Sequence, residues 1–299
     1  MIKEKNFMIP IVVLNYNDFD TANAFLRRYI EELKPALKDS VELIFVDNAS
    51  TDGSYEMLKS IYENACIFIR NESNIGYGAG NNEGLRYIKE HMKVSKVIIC
   101  NPDIIISADT IKEIGLKMEE HKDVAIIAPK MIMSDGNVSA SAWKRQGIIR
   151  DGLSCMIVTN KIFKLDKKLY REKELNSEVS YVDVINGSMF MADFAAFESV
   201  GFFDEDTFLY CEENILSYKL RQKGYKELLV NNLSYIHAHN ATIGKVYRGV
   251  SQRYKMLNDS RRIYYRKYLK IPKVKMLLFN IMAGIGLIER KFVDKIRLR

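Results

Sequence analysis

The chain has 299 residues, 47% hydrophobic and 28% charged, enough apolar material for a substantial core and ordinary for a soluble globular protein. Its four cysteines, Cys66, Cys100, Cys155 and Cys211, are widely spaced and form no C-x-x-C pair. That excludes a zinc knuckle, speaks against a disulfide framework, and fits a reducing, cytoplasmic compartment. The net charge of +7 is unevenly spread: residues 245–299 hold 16 of the 45 Lys and Arg but only 3 of the 38 Asp and Glu. The body is therefore mildly acidic and the tail basic. Such a tail suits an anionic membrane surface or substrate, or a solvated helical hairpin packed on the body or on a second copy.

In chain order, the first apolar run, MIPIVVL at 8–14, is too short for a signal peptide and reads as a strand. VELIFV (41–46), CIFI (66–69), VIIC (97–100) and VAIIA (124–128) are equally short and rich in β-branched residues. Helical spacing occupies the intervals near 20–34, 53–64, 79–93 and 107–121. Apolar strands separated by helix-length connections predict a Rossmann-like α/β fold, a mostly parallel sheet with helices on both faces. Right-handed crossovers then gather the strand C-terminal ends along one edge, where open sheets bind ligands. Residues 129–180 read as irregular and loop-rich, and 181–231 as an apolar run, a short helix and a longer one. MLLFNIMAGIGLI, 276–288, is too short to span a bilayer but suits its interface. The organisation predicted is a body, 1–244, in halves 1–128 and 129–244, followed by a basic helical tail, 245–299.

The polar clusters fall at the strand ends. In VDNASTDGS (46–54), Asp47 ends a strand and Ser50, Thr51 and Asp52 can cap the next helix. The cluster is either a well-capped loop or a carboxylate for a base imide or ribose hydroxyl. NESNIGYGAGNNEG (71–84) fails the dinucleotide pattern at Asn81 and lacks the Gly-Lys-Ser/Thr ending of a P-loop. It remains a glycine-rich entry to a helix whose N–H groups could meet phosphate or ribose oxygens. In IICNPDIII (98–106), Pro102 ends the fourth strand and exposes Asp103 at the ligand edge. A hard divalent cation carried with a diphosphate would prefer that oxygen; a solvated turn is the alternative.

The longest block is NGSMFMADFAAFESVGFFDEDTFLYCEENILSYKLRQKGY, 186–225. Glu212 and Glu213 open a helix there, and the helix dipole is expected to hold them ionised. An ionised carboxylate is what a general base must be. Ordinary first-turn charge is the alternative. In SYIHAHNAT (234–242), His237 and His239 alternate, so on a strand both would face one side, as a pair for a metal or diphosphate.

Over residues 8 to 242 the chain resembles a family 2 glycosyltransferase of the GT-A fold. The resemblance is carried by VVLNYN, VDNASTDGS, the NxGYGAGNNxG loop, NPD and the GFFDED…FLYCEEN…LRQKGY block, in that order. It is greatest to bacterial members that transfer rhamnose, galactose or glucose in capsule, O-antigen or exopolysaccharide assembly. The resemblance implies that Asp47 contacts the nucleotide base, with Asn15, Asn17 and Asp52 in the same pocket. Asn74, Gly76 and Asn81 would border the nucleotide sugar. Asp103 matches the last acid of the family's D-x-D metal motif, whose first acid is Asn101 here, and His237 falls near the metal and diphosphate. Glu213 matches the catalytic base, with Glu212 shaping the acceptor site. Where many members carry a further acid, this chain has Asn214-Ile215-Leu216. The implied cofactor is Mn²⁺ or Mg²⁺. The implied partners are a nucleoside-diphosphate sugar and a glycan or lipid-linked glycan acceptor.

Two other classes are weighed against this reading. A sugar-phosphate nucleotidylyltransferase would carry a glycine-rich basic loop after the first strand, and LNYNDFD has neither Gly nor Lys. A non-catalytic homologue could act as a partner subunit, or bind a polynucleotide through the tail, whose tyrosines alternate with Arg and Lys. The acidic strand-end cluster argues against a nucleic-acid partner for the body. The tail leaves membrane docking and homodimer formation both open.

Overall fold

A computed structural model describes residues 8–38, 40–165, 170, 174–238 and 249–297. The β-branched runs form the centre of a nine-stranded sheet. Strands β1 (Ile9–Asn15), β2 (Val41–Asp47), β3 (Ile67–Arg70) and β4 (Lys96–Cys100) are parallel neighbours in the order β3-β2-β1-β4. Between them run α1 (Phe19–Arg28), α2 (Ser54–Tyr62) and α3 (Tyr77–His91). Short β5 (Ile104–Ile105) and α4 (Ala108–Glu120) follow, then β6 (Val124–Met133).

Beyond β4 the sheet continues through β10 (Met189–Asp193), β6, β11 (Lys226–His237) and β5, with β8 (Val179–Val182) also paired to β11. β10 is antiparallel to β4 and β6, and β5 and β8 are antiparallel to β11, so the other six strands share one direction. The mostly parallel sheet is as expected. Helices α7 (Phe194–Ser199) and α8 (Glu212–Gln222) join the α3 side.

Register decides what meets at the ligand edge. Asn15 pairs with Asp47 and Val13 with Cys100, so Asn15, Asp47 and Asn101 end their strands together. Antiparallel β10 starts opposite Cys100 at Met189, bringing the Asn186-Gly187-Ser188 turn to the same edge. His237 pairs with Ile104, which sets it beside Asp103.

Each sheet face buries a separate core. One contains Phe25, Leu26, Tyr29 and Ile111; the other contains Leu85, Ile88, Phe197, Phe203 and Leu220. A third cluster joins the body to the tail. Ile148 and Cys155 of α5 (Ile148–Cys155) and Ile215 of α8 pack with Tyr254 of α9 (Val250–Ile263) and with Tyr265. Phe279 of α10 (Lys273–Arg297) completes that cluster. Tyr265 and Phe279 are fully buried with ring centres 5.0 Å apart. Each such side chain adds about 1.5–3 kcal/mol over leaving it in water.

One expectation is corrected. Residues 129–180 contain α5, α6 (Ile157–Phe163), the two-residue strand β7 (Ala142–Trp143) and the second half of β6. That strand continues through Pro129 because its partner shifts register there, from Val230 opposite Pro129 to Ser234 opposite Lys130. The bulge accommodates a residue that cannot donate to the ladder. The apolar stretch 276–288 is part of one 25-residue helix, α10. Among the described residues no helix is long and apolar enough to cross a membrane.

Candidate active site

The loops after β1 and β2 hold one another. Asp47 accepts from the Ser50 N–H (2.8 Å), the Ser50 hydroxyl (2.6 Å) and the Asn15 amide (3.2 Å). Asn17, in the left-handed region at φ 51°, accepts from the Thr51 N–H at 2.7 Å. Asp52 accepts from the Ser54 N–H at 3.0 Å, and Gly53 (φ 79°) makes the turn into α2. Asn48 then links this loop to the next: its amide donates to Asn74 (2.9 Å) and to the Gly76 carbonyl (3.1 Å), and its oxygen accepts from Asn71 and Ile75.

Several side chains expected to face a ligand are engaged inside these loops. Asp47 and Asn15 are buried, with 0% and 1% of their surface exposed, and serve the loop. Asn81 is likewise buried, with its amide donating to the Tyr77 carbonyl. Asn74 braces the turn by accepting from the Gly76 N–H at 3.1 Å. The first N–H of α3 is not presented to phosphate either, because Tyr77 N–H donates to the Phe208 carbonyl at 2.9 Å. Gly76, at φ 92°, is required there: a Cβ would lie 2.3 Å from that carbonyl oxygen. Asn17, Asp52, Asn101 and Asp103 keep exposed surface.

Asp103 and His237 meet as expected, Oδ2 to Nε2 at 3.1 Å, and the Asp103 carbonyl accepts from the Ala238 N–H. Asp103 Oδ1 is buried without a hydrogen-bond partner. A buried carboxylate oxygen left unsatisfied is costly, and a divalent cation would relieve it. The pair fits a cation that draws its remaining ligands from a diphosphate, since no group of three or more acidic, His or Cys side chains converges among the described residues. His239 lies outside the described residues.

Glu212 and Glu213 begin α8 after two consecutive residues at positive φ, Tyr210 (69°) and Cys211 (71°). Each costs about 1–3 kcal/mol, a strain that persists only where packing enforces it. Glu213 Oε1 accepts from the Gly187 N–H at 3.3 Å, and the Gly187 carbonyl accepts from Tyr77 OH at 2.7 Å. A Cβ on Gly187 would stand 2.9 Å from Glu213 Oε1, so glycine is what lets the turn approach the carboxylate. The expectation that the helix N-terminus holds both glutamates ionised is corrected. Burial pushes both carboxyls up, Glu212 furthest, because the neighbouring Glu213 charge adds to the burial. Backbone N–H groups, including that of Gly187, oppose the rise at Glu213. The two carboxyls therefore titrate as a pair that burial shifts upward.

The same charges converge on the Tyr77 hydroxyl, raised by burial and then by Glu212, Glu213, Cys100 and Asp103. Tyr77 and Gly187 thus sit between the Asp103 side and the Glu213 side, and residue patterning alone had singled out neither for this place. The FFDED block has a structural part. Asp204 accepts from Lys267 Nζ (2.7 Å) and from Tyr268 OH, both in the tail. Asn82 binds the Phe203 backbone and Glu205. The block ties α3 and the tail to the loop that delivers Glu212 and Glu213.

Residues 11–201 match the family model described as "Glycosyl transferase family 2". A Mycobacterium tuberculosis N-acetylglucosaminyl-diphospho-decaprenol L-rhamnosyltransferase is 24% identical over 245 residues, 80% of this chain and 78% of that protein. Among solved structures, GalNAc-T7 with UDP, GalNAc and Mn²⁺ aligns with a TM-score of 0.60 at 16% identity, over 79% of this chain. This chain spans 45% of the GalNAc-T7 chain. A mannosyltransferase of Pyrobaculum calidifontis in complex with GDP-Man and Mn²⁺ aligns with a TM-score of 0.56 at 17% identity, over 94% of this chain and 70% of that one. These likenesses establish a GT-A fold.

Proposed function

Because the chain belongs to glycosyl transferase family 2 and is a glycosyltransferase, we propose that it moves a hexosyl or rhamnosyl unit from a UDP- or dTDP-linked donor to a sugar acceptor, with inversion. The acceptor proposed is lipid-linked, and the process is the assembly of a cell-surface polysaccharide. The relative's name, which specifies a diphospho-decaprenol acceptor, supports that class. The observation that carries the reading is the placement of Glu213 across the Gly187 turn and Tyr77 from the Asp103–His237 pair.

In this mechanism the ionised Glu213 takes the proton of the acceptor hydroxyl while that oxygen attacks the anomeric carbon. The bond from the anomeric carbon to the donor's diphosphate oxygen breaks, and its electron pair leaves with the nucleoside diphosphate. Asp103 and His237 would hold a divalent cation, which when bound supplies positive charge for the departing diphosphate. Asn17 and Asp52, at the accessible rim, would face the nucleotide, and Asn101 the sugar diphosphate. Asp47, Asn15, Asn74 and Asn81 would act by holding the loops that shape that pocket.

The tail would dock this site to the cytoplasmic face of a membrane. On α10, Leu277, Ile281, Ile285, Ile288, Phe292 and Ile296 are all exposed and recur every three or four residues, forming one apolar face opposite the buried Phe279 and Ala283. Lys273, Lys275, Lys291 and Lys295 lie on the same helix and suit anionic headgroups. The core test is a thermal-shift series with UDP, TDP and GDP, each with and without Mn²⁺. The expected result is stabilisation by a pyrimidine diphosphate that requires Mn²⁺ and is lost in Asp103→Ala. No shift with any nucleotide would overturn the reading.

A further inference from the structure

A cavity of about 210 Å³ opens beside Glu213, and its walls come from three distant parts of the chain. Trp143, Lys144, Arg145 and Gln146 form one side, Tyr210, Cys211, Glu213 and Asn214 the floor, and Leu257, Arg261, Tyr264 and Tyr265 of the tail the roof. We propose that this cavity is the acceptor subsite and that the tail completes it. Trp143 would be the platform for the acceptor sugar, and Arg145 with Arg261 the donors to an acceptor diphosphate. The inference rests on the transferase reading above and names what that site recognises.

The positions of the groups support this division. Trp143 is the only tryptophan of the chain, and its Nε1–H donates to Asn214 Oδ1 at 3.0 Å. The indole is thereby fixed by the residue next to the base, as a flat apolar surface against which the C–H face of a sugar can lie. Asn214 stands where an additional acid was expected, and its use is to orient this ring. Gln146 Oε1 is buried and has no hydrogen-bond partner, an acceptor atom on the cavity wall suited to a sugar hydroxyl.

Charge in the cavity favours an anion. Three cations line it, Lys144, Arg145 and Arg261, against two carboxylates, Asp151 and Glu213. Lys144 is held by Glu174 at 2.5 Å. Arg145 and Arg261 have only looser carboxylate contacts, at 3.6 Å to Asp183 and 3.7 Å to Asp151. The Arg261 guanidinium also donates to Asn258 Oδ1 at 3.3 Å, while Asp151 accepts from Tyr265 OH at 2.5 Å. Planar guanidinium groups recognise phosphate oxygens in pairs, which a neutral glycan would not need. The roof carrying Arg261 is also the part of the tail that packs against α10.

The single tryptophan makes the test direct. The full chain is titrated with decyl-diphospho-N-acetylglucosamine while tryptophan fluorescence is followed, with decyl diphosphate and free N-acetylglucosamine as controls. A saturable change is expected with the sugar diphosphate. Binding should weaken about tenfold or more in Arg145→Ala, the loss of one charge-assisted contact. Arg145 is exposed, so this variant should fold. In turnover assays it should raise the acceptor KM and leave the donor KM unchanged. Trp143→Ala should raise the acceptor KM in the same way. No fluorescence response, or equal affinity in wild type and Arg145→Ala, would overturn the assignment. The same samples are melted with UDP and TDP plus Mn²⁺: a retained nucleotide shift would leave the transferase reading standing without this subsite, whereas its absence would remove both.

Discussion

Glu213→Gln isolates the chemistry from the fold. The amide keeps the shape of the carboxylate and an oxygen to accept from the Gly187 N–H, 3.3 Å away in the native site. It cannot take a proton. General-base catalysis contributes on the order of 10²–10⁴-fold, so the variant should lose that much kcat, about 2.7–5.5 kcal/mol of barrier. Burial raises both glutamates. The wild-type rate should therefore climb with pH through a limb lying above the ordinary glutamate value of about 4.3, and Glu213→Gln should lose that limb. Glu212→Gln leaves the base in place, so its loss should stay below about tenfold and a pH limb should remain. The assay is release of nucleoside diphosphate at saturating donor and acceptor across pH, with nucleotide binding checked by thermal shift. Near-normal turnover in Glu213→Gln together with collapse in Glu212→Gln would refute the assignment and exchange the two roles.

Gly187→Ala should place a methyl against the mobile end of Glu213, lowering kcat severalfold or more while the melting temperature changes little; an unchanged kcat would mean that the turn does not position the base. Glu227 is buried on β11, accepts from the Ile185 N–H at 2.7 Å, and has its carboxyl pushed up to about 8 by burial. The folded chain thus keeps a proton that the unfolded chain has lost. The resulting stability is full below the unfolded value of about 4.3, falls as pH rises, and is gone above about 8. Glu227→Gln should flatten that part of the pH dependence of the urea midpoint, and an unchanged slope between pH 5 and 9 would count against it. Ile281→Asp with Ile288→Asp, both on the exposed face of α10, should abolish co-sedimentation with anionic vesicles and leave the fold intact; retained binding would return the face to self-association, read by sedimentation velocity.

The first half of the fold was legible because its signals are local. The strand runs fall within a residue or two of β1 to β4 and the later helical periods within about two of α2 to α4, while the first, 20–34, covers α1 and the helical turns that continue it to Ala36. The same holds for the strand-end clusters, since a parallel sheet delivers every strand terminus to one edge. Residues 129–180 were not legible as helix or strand. β6 is recognisable only to Ala128, because Pro129 reads as a stop unless the three-residue register shift on β11 is known. α5 and α6 show mixed apolar and polar residues because α5 packs on the tail, a partner more than a hundred residues away.

The site divides in the same way. The Asp103–His237 contact joins the residue before β5 to the end of β11 through strand pairing. The burial of Asp47 was not legible because it depends on Ser50 and Asn15 closing over it. Ionisation was the property least available from local pattern. A helix N-terminus favours charge by about 0.3–1 kcal/mol at an exposed end, and that term is visible in the sequence. Burial acts in the opposite sense and comes from packing around Cys211, Ile215 and Leu216, which the sequence cannot position. At Glu212, with 6% of its surface exposed, burial dominates. A buried glutamate whose carboxyl is raised suits a base that must be ionised yet basic enough to accept a hydroxyl proton. The packing that raises the pair therefore sets the strength of the base as well as its position.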